Sequence, residues 1–311
     1  MWTVRAFYCD HFVLPLPDGH RFPMEKYALL RERLMKVPAA VLSVPMPASN
    51  EELLRVHTPD YLDRVVMGEL TRDEVRRIGF PWSPQLVERS RRSVGGTIEA
   101  ARVARSEGAA VNLAGGTHHA FPSHGEGFCV FNDVAVSVRD LQAREPGLGA
   151  AVIDLDVHQG NGTACAFHGD DSVFTASVHG GKNYPFHKEV SDLDIELADG
   201  AGDDDFLDAV DRAVQTALET RPDIVYYVAG ADAFEGDRLG RLSVSMEALA
   251  TRDDLLYGAC ESRGVPVVAV MAGGYADTVN DTVTIHANTV HRAVRHWERV
   301  GSEDPSVGVG T

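Results

Sequence analysis

The 311-residue chain predicts an α/β fold, a single domain built on one open, mostly parallel β-sheet with helices on both faces. Three observations carry that reading. Short apolar runs recur at 109–113, 150–153, 173–178, 224–228 and 265–271, each too short for a helix. Helical stretches at 133–144, 203–220 and 245–263 separate most of them, the alternation a parallel sheet requires. Each run is followed at once by a polar or glycine-rich group, which puts chemistry at the carboxyl ends of the strands, where open α/β proteins bind ligands.

The elements follow in order. Residues 2–8 read as an opening strand, and 9–22 as a Pro/Gly/Asp-rich loop whose His11 and His20 are taken as solvated. Residues 24–36 are helical by composition and 41–44 form a short strand. Asn50 is placed as the cap of a helix running to Met67, with Glu51 and Glu52 in the first turn, where the dipole favours acids. Ser83 followed by Pro84 starts a long helix that ends at Gly108. Gly95 and Gly96 in its middle cost about 1 kcal/mol each relative to Ala, so another backbone is expected to pack closely there. A last helix covers 279–297. Residues 1–297 are assigned to a single domain and 298–311 to a disordered tail.

Composition narrows the function classes. The formal net charge is −17, from 29 basic and 46 acidic residues, which argues against direct nucleic-acid binding and leaves cationic substrates open. No apolar run is long enough to span a bilayer, and the N-terminus has no export leader, so a cytoplasmic location is expected. Cys9, Cys129, Cys165 and Cys260 are far apart and form no CxxC pair, as expected of reduced thiols.

The stretch 149–163, GAAVIDLDVHQGNGT, organises the site. Asp154, Asp156 and His158 stand at every second position after a buried strand, so an extended backbone would send all three side chains off one face. Alone, such a cluster could equally be a capping and turn motif. Five strand ends with polar sequels weigh against that. Asp156, His158 and Asp232 make an O, N, O set suited to a catalytic Zn²⁺ or Fe²⁺ with open positions. His118 and His119 follow Gly115 and Gly116, each needing an acceptor on its far nitrogen, for which Asp154 and Asn161 are the candidates. Tyr275, after two glycines, could aim its hydroxyl at a developing oxyanion.

These residues resemble the histone deacetylase family of the arginase/deacetylase fold. The matching stretches are GHRFPMEKY (19–27), HTPDYL (57–62), GGTHHA (115–120), GFCVFND (127–133), DLDVHQGNGT (154–163), GADAFEGDRLG (230–240) and GGY (273–275), in order through nearly the whole chain. The GG before the paired histidines and the compact length are similar to class IV and related bacterial members. The resemblance implies zinc on Asp156, His158 and Asp232, and proton transfer by His118 and His119 with Asp154 behind the first. It further implies a carbonyl-polarising Tyr275 and a channel lined by Gly127, Phe128, Tyr184 and Gly273. It also implies a structural K⁺ bound by Asp154, the carbonyls of Asp156 and His158, Ser177 and the carbonyl of Val178, with a second near Phe167 and Val173. Asn161 stands where some classes carry Asp.

The activity expected from the resemblance is hydrolysis of acyl-lysine, or of acetylpolyamines or other small amides. A dinuclear arginase-like reading wants carboxylates soon after the Asp-x-His pair, where Gln159 and Gly160 stand. A non-catalytic acyl-lysine binder would be expected to have lost a ligand or Tyr275.

Overall fold

A computed structural model of the chain describes residues 3–300. Eight strands make one sheet: β1 (Val4–Phe7), β2 (Ala40–Ser43), β3 (Ala109–Asn112), β4 (Ala150–Asp154), β5 (Val173–Gly180), β6 (Leu193–Leu197), β7 (Ile224–Ala229) and β8 (Val267–Met271). Their order is β2-β1-β3-β8-β7-β4-β5-β6, and every pairing is parallel. The helices are α1 (Glu25–Leu34), α2 (Asn50–Leu53), α3 (Pro59–Met67), α4 (Arg72–Ile78), α5 (Pro84–Glu107), α6 (Asp133–Arg144), α7 (Asn161–Phe167), α8 (Asp203–Glu219), α9 (Met246–Arg263) and α10 (Val279–Val300).

The period of two along each strand sorts side chains onto two cores. Val225, Tyr227 and Ala229 of β7 join a cluster with residues of α1, α8, α9 and α10. Ile224, Tyr226 and Val228 of the same strand join Ala100, Ala104, Val134 and Val138 of α5 and α6 on the opposite face. Both faces are therefore dry, which is why the central strands read as unbroken apolar runs.

Several expectations need correction. Ser49, not Asn50, caps α2, closing a capping box with Glu52, and α2 lasts only four residues. Thr58 and Pro59 then start α3 afresh, because the residue before a proline is driven out of the helical region. Two elements were missed. β6, LDIEL, is a partly exposed edge strand without an apolar run. Helix α4 is short and mostly polar. The turn at 159–162 does lead into a helix, α7, which carries a glycine in its first turn. At Gly95 the expected close backbone exists, since a Cβ there would strike the Met46 carbonyl. At Gly96 the neighbour is the Asn112 side chain instead. Of the expected tail, 298–300 close α10 and 301–311 lie outside the described residues, as does Trp2 of the expected first strand.

Candidate active site

The four central strands, β3, β8, β7 and β4, each send a loop to the same edge. These loops carry His118 and His119, then Tyr275, then Asp232, then Asp156 and His158. Strand β4 ends at Asp154, and the chain bends rather than running on extended. Asp154 accepts the Asp156 N–H at 3.1 Å, and Asp156 accepts the His158 N–H at 2.9 Å. These side-chain turns separate the three residues: Asp156 and His158 join Asp232, while Asp154 faces His118.

One ligand atom from each of Asp156, His158 and Asp232 lies within 4.8 Å of the other two. His158 Nδ1 sits 3.0 Å from Asp156 Oδ1 and 3.1 Å from Asp232 Oδ2. Both carboxylates are fully buried. Burial favours the neutral acid at each. At Asp156 the imidazoles of His118 and His158 prevail and hold it far below the usual range. At Asp232 burial and the charge of Asp156 push the carboxyl up to about 7. Two carboxylates this close and this dry call for a cation between them, and the O, N, O donors fit a divalent ion. The backbone is shaped around them. Gly273 donates its N–H to Asp156 Oδ2 at 2.7 Å, and a Cβ on Gly273 or Gly230 would collide with the carboxylates.

The two histidines stand ring to ring, centroids 4.1 Å apart, in opposite electrostatic settings. His118 Nδ1 donates to Asp154 Oδ2 at 2.6 Å. Burial opposes its charge, but Asp154 and Asp156 outweigh it and raise the imidazole to about 9. His119 is held well below its ordinary value, first by burial and then by the charges of His118 and His158. His119 Nδ1 donates to Asn161 Oδ1 at 2.7 Å, and the Asn161 amide is oriented by donating its own N–H to Glu126 at 2.7 Å. That chain leaves His119 Nε2 as the lone-pair nitrogen.

Tyr275 is buried beside this group. Burial and the anions Asp232 and Asp156 keep its phenol protonated, hence a donor. Its backbone is clamped on both sides: the N–H donates to Asp237 Oδ2 at 2.6 Å, and the carbonyl accepts from Arg238 Nε at 2.9 Å. Lys26 of α1, fully buried, donates to the carbonyls of Ala272 and Gly274 at 3.3 and 3.4 Å and lies 5.3 Å from the Tyr275 ring centroid. Burial lowers its ammonium to about 8 against the pull of Asp232 and Asp156.

All of this opens into a cavity of about 620 Å³ lined by His118, His119, Asp156, His158, Gly273 and Tyr275, with Gly127, Phe128 and Tyr184 on its walls. Phe128 has a positive φ of 66° and packs against Phe22 and Phe80. His179, expected just beyond a strand, lies within β5, does not line the cavity and instead contacts Ser177 at 2.9 Å. His20 is not solvated as expected; its Nε2 meets the Gly79 carbonyl at 2.9 Å and its ring stacks on Phe80. Lys26, Glu126 and Asp237 are the residues sequence reasoning missed. GHRFPMEKY and GADAFEGDRLG contain two of them, but no spacing rule distinguishes them from solvated charges.

Fold and donor set together define an α/β protein of the arginase/deacetylase fold with a candidate metal site at its carboxyl edge. The histone deacetylase domain matches residues 20–290, and the chain belongs to the histone deacetylase family. It is 43% identical to an uncharacterized protein of Picosynechococcus sp., over 93% of this chain and 97% of that one. It is 32% identical to histone deacetylase 2 of Arabidopsis thaliana, over 74% of this chain and 62% of the relative's length. The crystal structure of a histone deacetylase homologue from Aquifex aeolicus superposes with a TM-score of 0.79 at 24% identity, covering 94% of this chain and 83% of that one. Among the described residues no helix is long and apolar enough to cross a membrane.

Proposed function

We propose that the protein is a zinc-dependent amidohydrolase of the cytoplasm that removes acetyl or longer acyl groups from lysine side chains. The observation that carries this reading is the meeting, at one cavity floor, of a buried O, N, O triad with two histidines braced by different acceptors, Asp154 and Asn161, and the Tyr275 phenol. A divalent cation on Asp156, His158 and Asp232 supplies Lewis-acid polarisation and a lowered water pKa, and Fe²⁺ suits the same donors as Zn²⁺.

The chain's own groups do the rest. His119 Nε2 accepts the proton of the attacking water, its ring fixed by Asn161 and Glu126. The Tyr275 hydroxyl donates to the acyl oxygen as negative charge develops there. His118, protonated and braced by Asp154, donates from Nε2 to the departing amine. Asn161 is an amide where a carboxylate would raise basicity, so His119 is tuned to remain neutral until the water approaches. A structural K⁺ at Asp154 and Ser177, with the carbonyls of Asp156, His158 and Val178, is supported by β4–β5 register, which pairs Asp154 with Ser177.

The test is to strip metal with a chelator, restore Zn²⁺ or Fe²⁺, and assay acetyl-lysine peptides, longer acyl-lysine peptides and acetylpolyamines. Metal-dependent release of free amine is expected. A chain that binds one divalent ion and cleaves no member of the panel refutes the proposal.

A further inference from the structure

The charge on the cavity wall is the reverse of the charge on the chain. Acids outnumber bases 46 to 29 overall, yet the charged residues around the cavity are Arg21, Arg76, Arg77, Lys182, Arg238 and Arg241, with Asp156 on the floor as the one acid. These cations come from four separate segments: the loop before α1, the last turn of α4, the loop after β5 and the loop after β7. All six are exposed, which puts them at the mouth, while the carboxylates of the triad are buried.

Their own partners, three carboxylates against six cations, offset only part of them. Arg76 pairs with Asp73 at 2.9 Å and Arg238 with Asp277 at 3.8 Å, while Lys182 and Arg241 share Asp199 at 3.7 and 3.3 Å. Such solvent-exposed pairs are weak and exchange readily. Among the described residues Arg21 and Arg77 have no carboxylate within 4.0 Å. Over the roughly 8–10 Å that charges reach at physiological salt, the mouth is positive on a strongly negative molecule.

The arrangement has a direction. The amine half of the scissile amide lies at the mouth, and there negative charge is favoured. A polycationic acetylpolyamine would place its ammonium groups among the six cations. Phe186, 81% exposed on the cavity rim, adds an apolar platform of the kind an extended peptide covers. Resting on the amidohydrolase reading, we propose that the mouth selects acyl-lysine in peptides whose flanking side chains are carboxylates.

The test uses the zinc-reconstituted full chain and three acetyl-lysine peptides that differ only in acidic, neutral or basic flanks, together with N-acetylspermidine. The acidic peptide should exceed the basic one in kcat/KM by about tenfold or more at low salt, and the ratio should shrink toward one at about 0.5 M salt. The double variant Arg21→Glu/Arg77→Glu should abolish or invert the acidic-over-neutral ratio. Arg212→Glu/Arg263→Glu makes the same charge change on the exposed surface of α8 and α9 and should leave that ratio as it is. Should the first variant not fold, the salt dependence of the unaltered protein still decides. Preference for the basic peptide or for N-acetylspermidine, or a ratio indifferent to the Arg21 and Arg77 reversal, overturns the inference. Turnover of the neutral peptide without charge preference overturns this inference alone, whereas hydrolysis of no member of the panel overturns the amidohydrolase reading and this with it.

Discussion

Gly273→Ala tests whether the buried triad is a metal site, without relying on turnover. A Cβ at this position would lie 2.6 Å from Asp156 Oδ2 and closer still to Asp232 Oδ2. Ordinary carbon–oxygen contact needs about 3.5 Å, so Asp156 must retreat by about 1 Å and Asp232 by more. Asp156 is not free to do so, because Gly273 N–H holds it at 2.7 Å and its other oxygen caps the His158 N–H. Metal–ligand distances tolerate only about 0.2 Å, so a 1 Å displacement removes a ligand. Disturbing a partner of a ligand already costs about 10–100-fold in affinity, and losing a ligand should cost at least about 100-fold. The assay is Zn²⁺ competition against a chromogenic chelator, with the rise in Tm on adding zinc as a second readout. Gly149→Ala is the control, since the nearest atom to its Cβ is 3.8 Å away. Wild-type zinc affinity in Gly273→Ala would show that Asp156 and Asp232 are a buried ion cluster and not ligands.

Three further outcomes are expected. Tyr275→Phe should lower kcat by about 100–1000-fold with zinc affinity unchanged, as loss of one oxyanion donor does, and near-normal kcat would remove the phenol from the mechanism. Lys26→Met leaves the Ala272 and Gly274 carbonyls unpaired at a cost of about 1–3 kcal/mol, so Tm should fall. If Lys26 acts through Tyr275, kcat of the double variant with Tyr275→Phe should be no lower than that of Tyr275→Phe alone, and additive losses would refute the link. His57 supplies a pH dependence of stability. It is 2% exposed and its Nε2 accepts the Asn132 N–H that precedes α6. Burial lowers it from 6.5 to about 4, with the Pro122 and Phe121 carbonyls opposing. Below pH 6.5 the unfolded chain takes up a proton that the native state refuses, so stability present at pH 7 is lost progressively down to about pH 4, by about 3 kcal/mol. In urea titrations His57→Gln should therefore show a smaller loss of stability between pH 7 and pH 5, and an equal loss would refute this account.

The amino-acid pattern alone was enough for the sheet, because strands buried on both faces must be apolar throughout and their sequels must be polar. It was enough to bring Asp156, His158, Asp232, the two histidines and Tyr275 to one place for the same reason: each stands within a few residues of a strand end, and parallel strands bring those ends to one edge. Strand β6 escaped because an edge strand need not be apolar, and α4 because it is too short to show a period. Folding alone decided which partner each polar group received. Asp154 stands two residues from Asp156 yet serves His118, since side-chain turns bend the chain just beyond β4. Lys26 reaches carbonyls 246 and 248 residues further along the chain, and Glu126 orients an amide that in turn fixes a tautomer. The positive mouth on a chain of charge −17 is likewise a product of folding, since net charge is a sum over residues and a field is set by where each one lies.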